Sequence, residues 1–365
     1  MISTVQENEE RRGSARYTLS DTEHGHDWGT CAEVGGLFGA GRRGTYELFA
    51  WVPEGADVRG WIGHRVWCVP EDGKLDPWLL GDAERVERRA GTPSLVLTAL
   101  DDYDGPPEGH GGRVRLHDEH RWLGAGREFT RVHAPERAEP PLVLRGLAPG
   151  DALRRALLTA TRRSLDLGEA VLKVRDDRGE PFAELILWVT VGAWRPSPRG
   201  ADLIDLELEG KLSTPLPEQA RPLWEHWLAG PPQTPGAWAA LDTRQRWAWL
   251  DHVRGRASLR AHEDRPPGHP YELDGRHVTD VPGLYLALGE TVNGPGGYFG
   301  GSLDALDDCL GGTFGRTAPA TLLWRNAATA REHLSRVLTP DGEPYDLFTE
   351  ALDVLAEGRL GVTLA

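Results

Sequence analysis

The sequence predicts a multidomain chain: a β-rich and α+β N-terminal region, a helical connector, and a small C-terminal α/β domain on a three-stranded parallel sheet with helical cover. Three observations predict it. Short aromatic-rich strands broken by turn clusters fill the first 130 residues. Two tryptophan-rich helical periods follow, set between Pro/Gly segments. Strands then alternate with helical stretches over the last hundred residues, and strands joined through helices run parallel.

In chain order, residues 2–13 show no apolar period and read as a tail. Tyr46–Val52, Gly60–Val69, Ser94–Leu100 and Arg113–Leu116 read as strands, separated by turns such as Pro53-Glu54-Gly55. They define a β-rich domain over 14–138. An α+β unit is expected over 139–215, with a strand at Leu142–Leu144 and a helix over Gly150–Arg163. The turn Asp176-Asp177-Arg178-Gly179 there joins a hairpin.

Residues 216–262 form the helical connector, with helices expected over Glu218–Leu228 and Trp238–Arg254. Its tryptophans (Trp224, Trp227, Trp238, Trp247, Trp249) read as a packing face rather than a peptide groove. The C-terminal domain spans 270–365. Its strands are Tyr271–Leu273, Ala320–Trp324 and Leu360–Leu364. Its helices cover Pro282–Leu288, the stretch after Ser302, Arg325–Leu334 and Asp346–Ala356. No internal repeat is visible in the sequence.

The chain has 365 residues, 39% hydrophobic and 27% charged, with a net charge of −15. That balance is globular, and it disfavours nucleic acid or an anionic membrane as partner while favouring basic partners. No apolar run reaches the roughly 18 residues that span a bilayer. Three scattered cysteines (Cys31, Cys68, Cys309) and a polar start without a secretion signal lead to the expectation of a reduced, cytoplasmic protein.

One stretch concentrates chemistry: Gly297-Tyr298-Phe299-Gly300-Gly301-Ser302-Leu303-Asp304-Ala305-Leu306-Asp307-Asp308-Cys309-Leu310. Ser302 is a natural N-cap. Leu303, Leu306, Cys309 and Leu310 share one face of the helix, and Asp304, Asp307 and Asp308 share the other. Crowded carboxylates repel unless cations meet them. A phosphate-cradling role for the glycines is disfavoured, since no Lys-Ser/Thr follows and three carboxylates stand at the helix start.

His24-Gly25-His26-Asp27 with Cys31, and His117-Asp118-Glu119-His120, hold ligand-type side chains. Neither has structural zinc spacing, and both are read as polar loops with no metal. No nucleophile elbow, zincin helix or cysteine–histidine signature appears. No catalytic residue and no cofactor is therefore expected.

Leu273-Asp274-Gly275-Arg276-His277-Val278, the run from Tyr298 to Leu310, Pro319 to Trp324-Arg325, and Ala356-Glu357-Gly358 occur in one order. On these pieces, residues 270–365 resemble the barstar family of intracellular ribonuclease inhibitors. The resemblance implies occlusion of a basic, barnase-like ribonuclease by the acidic helix and its preceding loop. It carries partner-binding roles onto Tyr298, Gly300, Asp304 and Asp308. Asp307 stands where the family has a tryptophan, Gly301 where its type member has a glutamate, and Thr313 where it has another tryptophan. A late-helix family carboxylate falls on Asp353 without a gap, or on Val354 if the apolar stripe sets the register. From Pro270 onward fourteen acids face six arginines, a net of −8. The alternative reading makes the N-terminal region an enzyme or ligand-binding module, with the C-terminal domain as a docking appendage.

Overall fold

The computed structural model describes residues 15–23, 25–39, 43–55, 60–86, 93–101, 106–132, 141–159, 165–214, 216–260 and 262–365. Its strands begin with β1 (Tyr17–Asp21), β2 (Asp27–Cys31), β3 (Glu33–Gly35), β4 (Arg43–Phe49), β5 (Val52–Pro53) and β6 (Trp61–Pro70). They continue with β7 (Trp78–Arg85), β8 (Ser94–Asp101), β9 (Gly109–His110), β10 (Val114–His117), β11 (Trp122–Gly126) and β12 (Glu128–Arg131). After β13 (Leu142–Pro149) come α1 (Asp151–Thr159), β14 (Leu165–Arg175), β15 (Pro181–Pro196) and β16 (Ile204–Leu212). The connector holds a 3₁₀ turn at Glu218–Ala220, α2 (Arg221–Ala229) and α3 (Thr243–Ala257). The remainder is β17 (Pro270–Asp274), α4 (Val281–Asn293), α5 (Leu303–Leu310), β18 (Ala320–Arg325) and α6 (Ala327–Leu334). Then come β19 (Val337–Leu338), β20 (Pro344–Tyr345), α7 (Leu347–Glu357) and β21 (Leu360–Leu364).

The chain divides into two compact units: Met1–Gly41 with Ala138–Gln233 and His252–Ala261, and Arg42–Arg137 with Thr234–Asp251 and His262–Ala365. The pairings thus do not follow the boundary expected at 138/139, because β1–β3 pair with β13–β16. Strand pairing is non-local and leaves no trace in local composition.

In the first unit, β16-β15-β14-β1-β2-β13 pair in sequence, and β13 pairs back onto β16. The sheet closes into a six-membered antiparallel ring, which leaves no open edge among those six strands. Leu19, Leu172, Leu187, Val189 and Leu206 are buried within the unit. Phe182 of β15 packs edge-on against Trp224 of α2.

The second unit's sheet forms a similar ring when β4 and β5, successive in the chain, are taken as one interrupted strand. Here β4 pairs with β8 and β12 while β5 pairs with β11, and the rest run β11-β10-β6-β7-β8. The two rings share one strand order after a cyclic shift, with β13–β16, β1 and β2/β3 corresponding to β4/β5, β6–β8, β10 and β11/β12. The register agrees in detail: Leu19↔Gly29 and Leu116↔Gly124 are equivalent pairs, each followed by a bulge. The structure therefore contains a repeat that the sequence did not show. The cyclic shift removes any fixed period.

The C-terminal region carries a three-stranded parallel sheet, β17-β18-β21, with Tyr271↔Leu322 and Leu322↔Val362 in register. Trp324, Phe348, Leu286 and Leu355 form its core, with α4 against β17 and α7 against β21. This agrees with the expected α/β class. The start of the second connector helix differs from the expectation. Trp238 sits in a turn, and α3 starts at Thr243. There Asp242 accepts from the Gln245 amide (2.8 Å) and Gln245 accepts in return from the Asp242 amide (3.2 Å). That reciprocal cap sets the start. The hairpin of β19 and β20, not expected, meets the second ring: Leu338 N–H donates to Glu119 O and Pro340 O lies 3.1 Å from His117 Nε2.

Candidate functional site

The loop 294–302 and α5 form the acidic element. Ser302 caps α5, its Oγ accepting from the Ala305 amide at 3.2 Å. Leu306, Cys309 and Leu310 are buried, while Asp304, Asp307 and Asp308 are exposed. Asp304 in the first turn meets the positive end of the helix dipole. At the other end, the fully buried Arg316 donates to Leu310 O (2.9 Å) and to Gly358 O. A cation thus caps the carbonyl end of a helix that carries three carboxylates.

The aromatic and the glycine to which the resemblance gives partner roles are both buried in the free chain. Tyr298 is buried, at 8% exposure, and Phe299 is fully buried. Gly300 has φ +91°, and a Cβ there would lie 2.9 Å from Leu306 Cα. Its lack of a side chain lets the loop fold onto its own helix. Asp353 lies apart on α7, which packs against α5; its side is exposed, while Val354 is half-buried.

Sequence reasoning missed the residues that hold the loop. A Cβ on Gly289 would lie 2.3 Å from Gly297 O, so α4 is indented where the loop crosses it. Asn293 donates to Tyr298 O (2.8 Å) and Phe314 O (3.0 Å), joining the segments before and after α5. Glu290 accepts from the Gly296 amide (3.2 Å), the Gly236 amide (2.7 Å) and Trp238 Nε1 (3.0 Å). Burial pushes its carboxyl above the usual range, against the pull of those donors. Asp264 accepts from the amides of Thr313 (3.2 Å), Gly315 (2.8 Å) and Arg316 (3.1 Å). Their partners lie from 5 to 54 positions away, so the contacts follow no local period.

The three thiols are free and buried, and desolvation raises Cys31 to about 12 and Cys309 to about 11. Among the described residues no group of three or more His, Cys, Asp or Glu is placed to hold a metal ion. His24 lies outside those residues. His117 is buried, its Nδ1 accepting from the Glu119 amide at 3.3 Å, and Asp118 accepts from the amides of His120 and Arg121. No described helix is long and apolar enough to cross a membrane.

Residues 269–354 match the family model of barstar (barnase inhibitor), and no family model matches the region before them. No curated protein is significantly similar to the chain. The C-terminal region therefore has a barstar-like fold, within a multidomain chain whose N-terminal region is strand-rich.

Proposed function

We propose that this chain is an inhibitor, of the antitoxin or immunity type, of a basic barnase-like ribonuclease. The observation that carries the reading is the exposed face of Asp304, Asp307 and Asp308 on a capped helix inside the family-matched segment. A ribonuclease cleft is cationic because it holds phosphate. Carboxylates presented on a fixed helix can take the phosphate's place through charge-assisted bonds. Association is then steered by opposite charge and weakens with salt.

The chain contributes no bond-making chemistry in this reading; it excludes substrate. Three free, buried thiols fit action in a reducing, cytoplasmic compartment. Asp307, on the same face, adds a carboxylate that suits a target with an extra cation.

Calorimetry of the full chain against a panel of barnase-like and guanyl-specific ribonucleases tests the proposal, with activity measured on a fluorogenic RNA. Stoichiometric, salt-sensitive inhibition is expected. Absence of binding to every basic ribonuclease in the panel would sink it.

A further inference from the structure

We infer that the connector upstream of the family-matched segment is a working part of the partner-binding element, with Glu290 and Asp264 as positioning residues. This rests on the reading of α5 as the partner-facing helix. Gly236, Trp238, Leu250, His262 and Asp264 all precede residue 269, where the match begins. Each reaches the element.

Before α5, one Glu290 carboxylate holds three donors. One is the Gly296 amide of the loop; the other two, the Gly236 amide and Trp238 Nε1, belong to the connector. Leu250 closes on the loop as well: a Cβ at Gly301 would touch its Cδ2 at 3.9 Å. After α5, Asp264 gathers the amides of Thr313, Gly315 and Arg316, and His262 stacks on Phe314 with ring centroids 5.3 Å apart. Asn293 ties the two segments to each other.

The need for such bracing follows from the backbone. Gly294, Gly296, Gly300, Gly312, Thr313 and Gly315 all have positive φ. Glycine-rich segments lose more conformational freedom on ordering than any other kind. A loop left free would be ordered at the moment of binding, which lowers affinity; a loop held beforehand is pre-organised. Carboxylates that each accept several N–H groups are strong braces. The position Gly301, where the family's type member has a glutamate, is here backed by an apolar side chain of the connector.

The test uses the full chain with Glu290→Gln and Asp264→Asn, and barnase as the probe ribonuclease. Three readouts are taken: amide exchange of the free proteins, thermal melting, and association and dissociation rates over a salt series. Amides of 294–302 should exchange at least about tenfold faster in Glu290→Gln, and those of 311–316 in Asp264→Asn. Ring amides should keep their protection. Dissociation should quicken about 10- to 100-fold while the salt slope of association stays put, because Asp304, Asp307 and Asp308 are untouched. Trp238→Phe removes a single donor to Glu290 and should give an intermediate effect should the carboxylate variant fold poorly.

Loop exchange and dissociation equal to wild type would overturn the inference, and so would a rise in exchange spread evenly over the whole chain. If wild type itself does not bind barnase while the loops still loosen, the proposed function is what fails for that target, and the bracing stands.

Discussion

Arg246 and Asp280 form a buried ion pair, with Nη1 of the arginine 3.2 Å from both carboxylate oxygens. The pair joins α3 of the connector to the start of α4. Asp280 is also the N-cap of α4, accepting from the Gly283 amide (2.9 Å) and from Thr243 Oγ1 (2.7 Å). Both side chains are over nine-tenths buried. Removing one partner strands the other charge in the interior, which costs more than the pair itself contributes. Asp280→Ala should cost about 3–5 kcal/mol, measured by urea unfolding, and Asp280→Asn should cost less because it keeps a cap acceptor. A loss under about 1 kcal/mol for Asp280→Ala would mean that water reaches Arg246.

Gly300→Ala should damage the site from inside the chain. The φ of +91° is strained for any L side chain, and the new methyl would press on Leu306 Cα at 2.9 Å. A cost of about 1–3 kcal/mol is expected, together with a displaced loop. Stability and ribonuclease binding should fall together. Weakened binding at unchanged stability would instead support the expectation that Gly300 serves close approach to a partner.

His252 predicts a pH dependence. It is 6% exposed among Phe182, Trp224 and Trp227, and desolvation with the nearby Arg256 pushes its pKa down to about 3. In the unfolded chain the ring titrates near 6.5. Above that value both states are neutral and nothing changes. As pH falls from 6.5 towards 3, the unfolded state binds a proton that the native state refuses, so stability is lost. The loss at pH 5 is about 2 kcal/mol. His252→Phe keeps an aromatic ring and should flatten the profile of unfolding free energy between pH 6.5 and 4. A profile as steep as wild type would assign the acid sensitivity to other groups.

The local parts of the structure were legible in the sequence, and the non-local parts were not. Ser302 and the Leu303/Leu306/Cys309/Leu310 stripe announce α5 because a cap and a 3.6-residue period are nearest-neighbour effects. The tryptophan pattern places the start of α3 at Trp238, whereas the reciprocal cap of Asp242 and Gln245 sets it at Thr243. The paired rings escaped notice because Leu19↔Gly29 and Leu116↔Gly124 are related only through strand pairing, and the second ring interrupts the first in the chain. The braces at Glu290 and Asp264 escaped for the same reason. Gly236 and Gly296 are sixty residues apart in sequence and meet on one carboxylate.

The aspartates are all exposed but stand on two helices, Asp304, Asp307 and Asp308 on α5 and Asp353 on α7. Asp308→Ala should weaken ribonuclease binding by about 2–4 kcal/mol, or about 30- to 1,000-fold in Kd, if it sits at the centre of a desolvated cationic contact. Asp304→Ala should follow it with a smaller loss, and Asp307→Ala should change the ranking of targets in the panel more than the mean affinity. Asp353 is exposed on α7, whereas Val354 beside it is half-buried. Asp353→Ala should therefore weaken binding modestly and reduce its salt dependence, while Val354→Ala should lower stability and leave binding alone. Calorimetry at two ionic strengths on all five variants reads this out. Equal, small losses for Asp304, Asp307 and Asp308 would describe a diffuse acidic surface without a central contact, and would count against occlusion by α5.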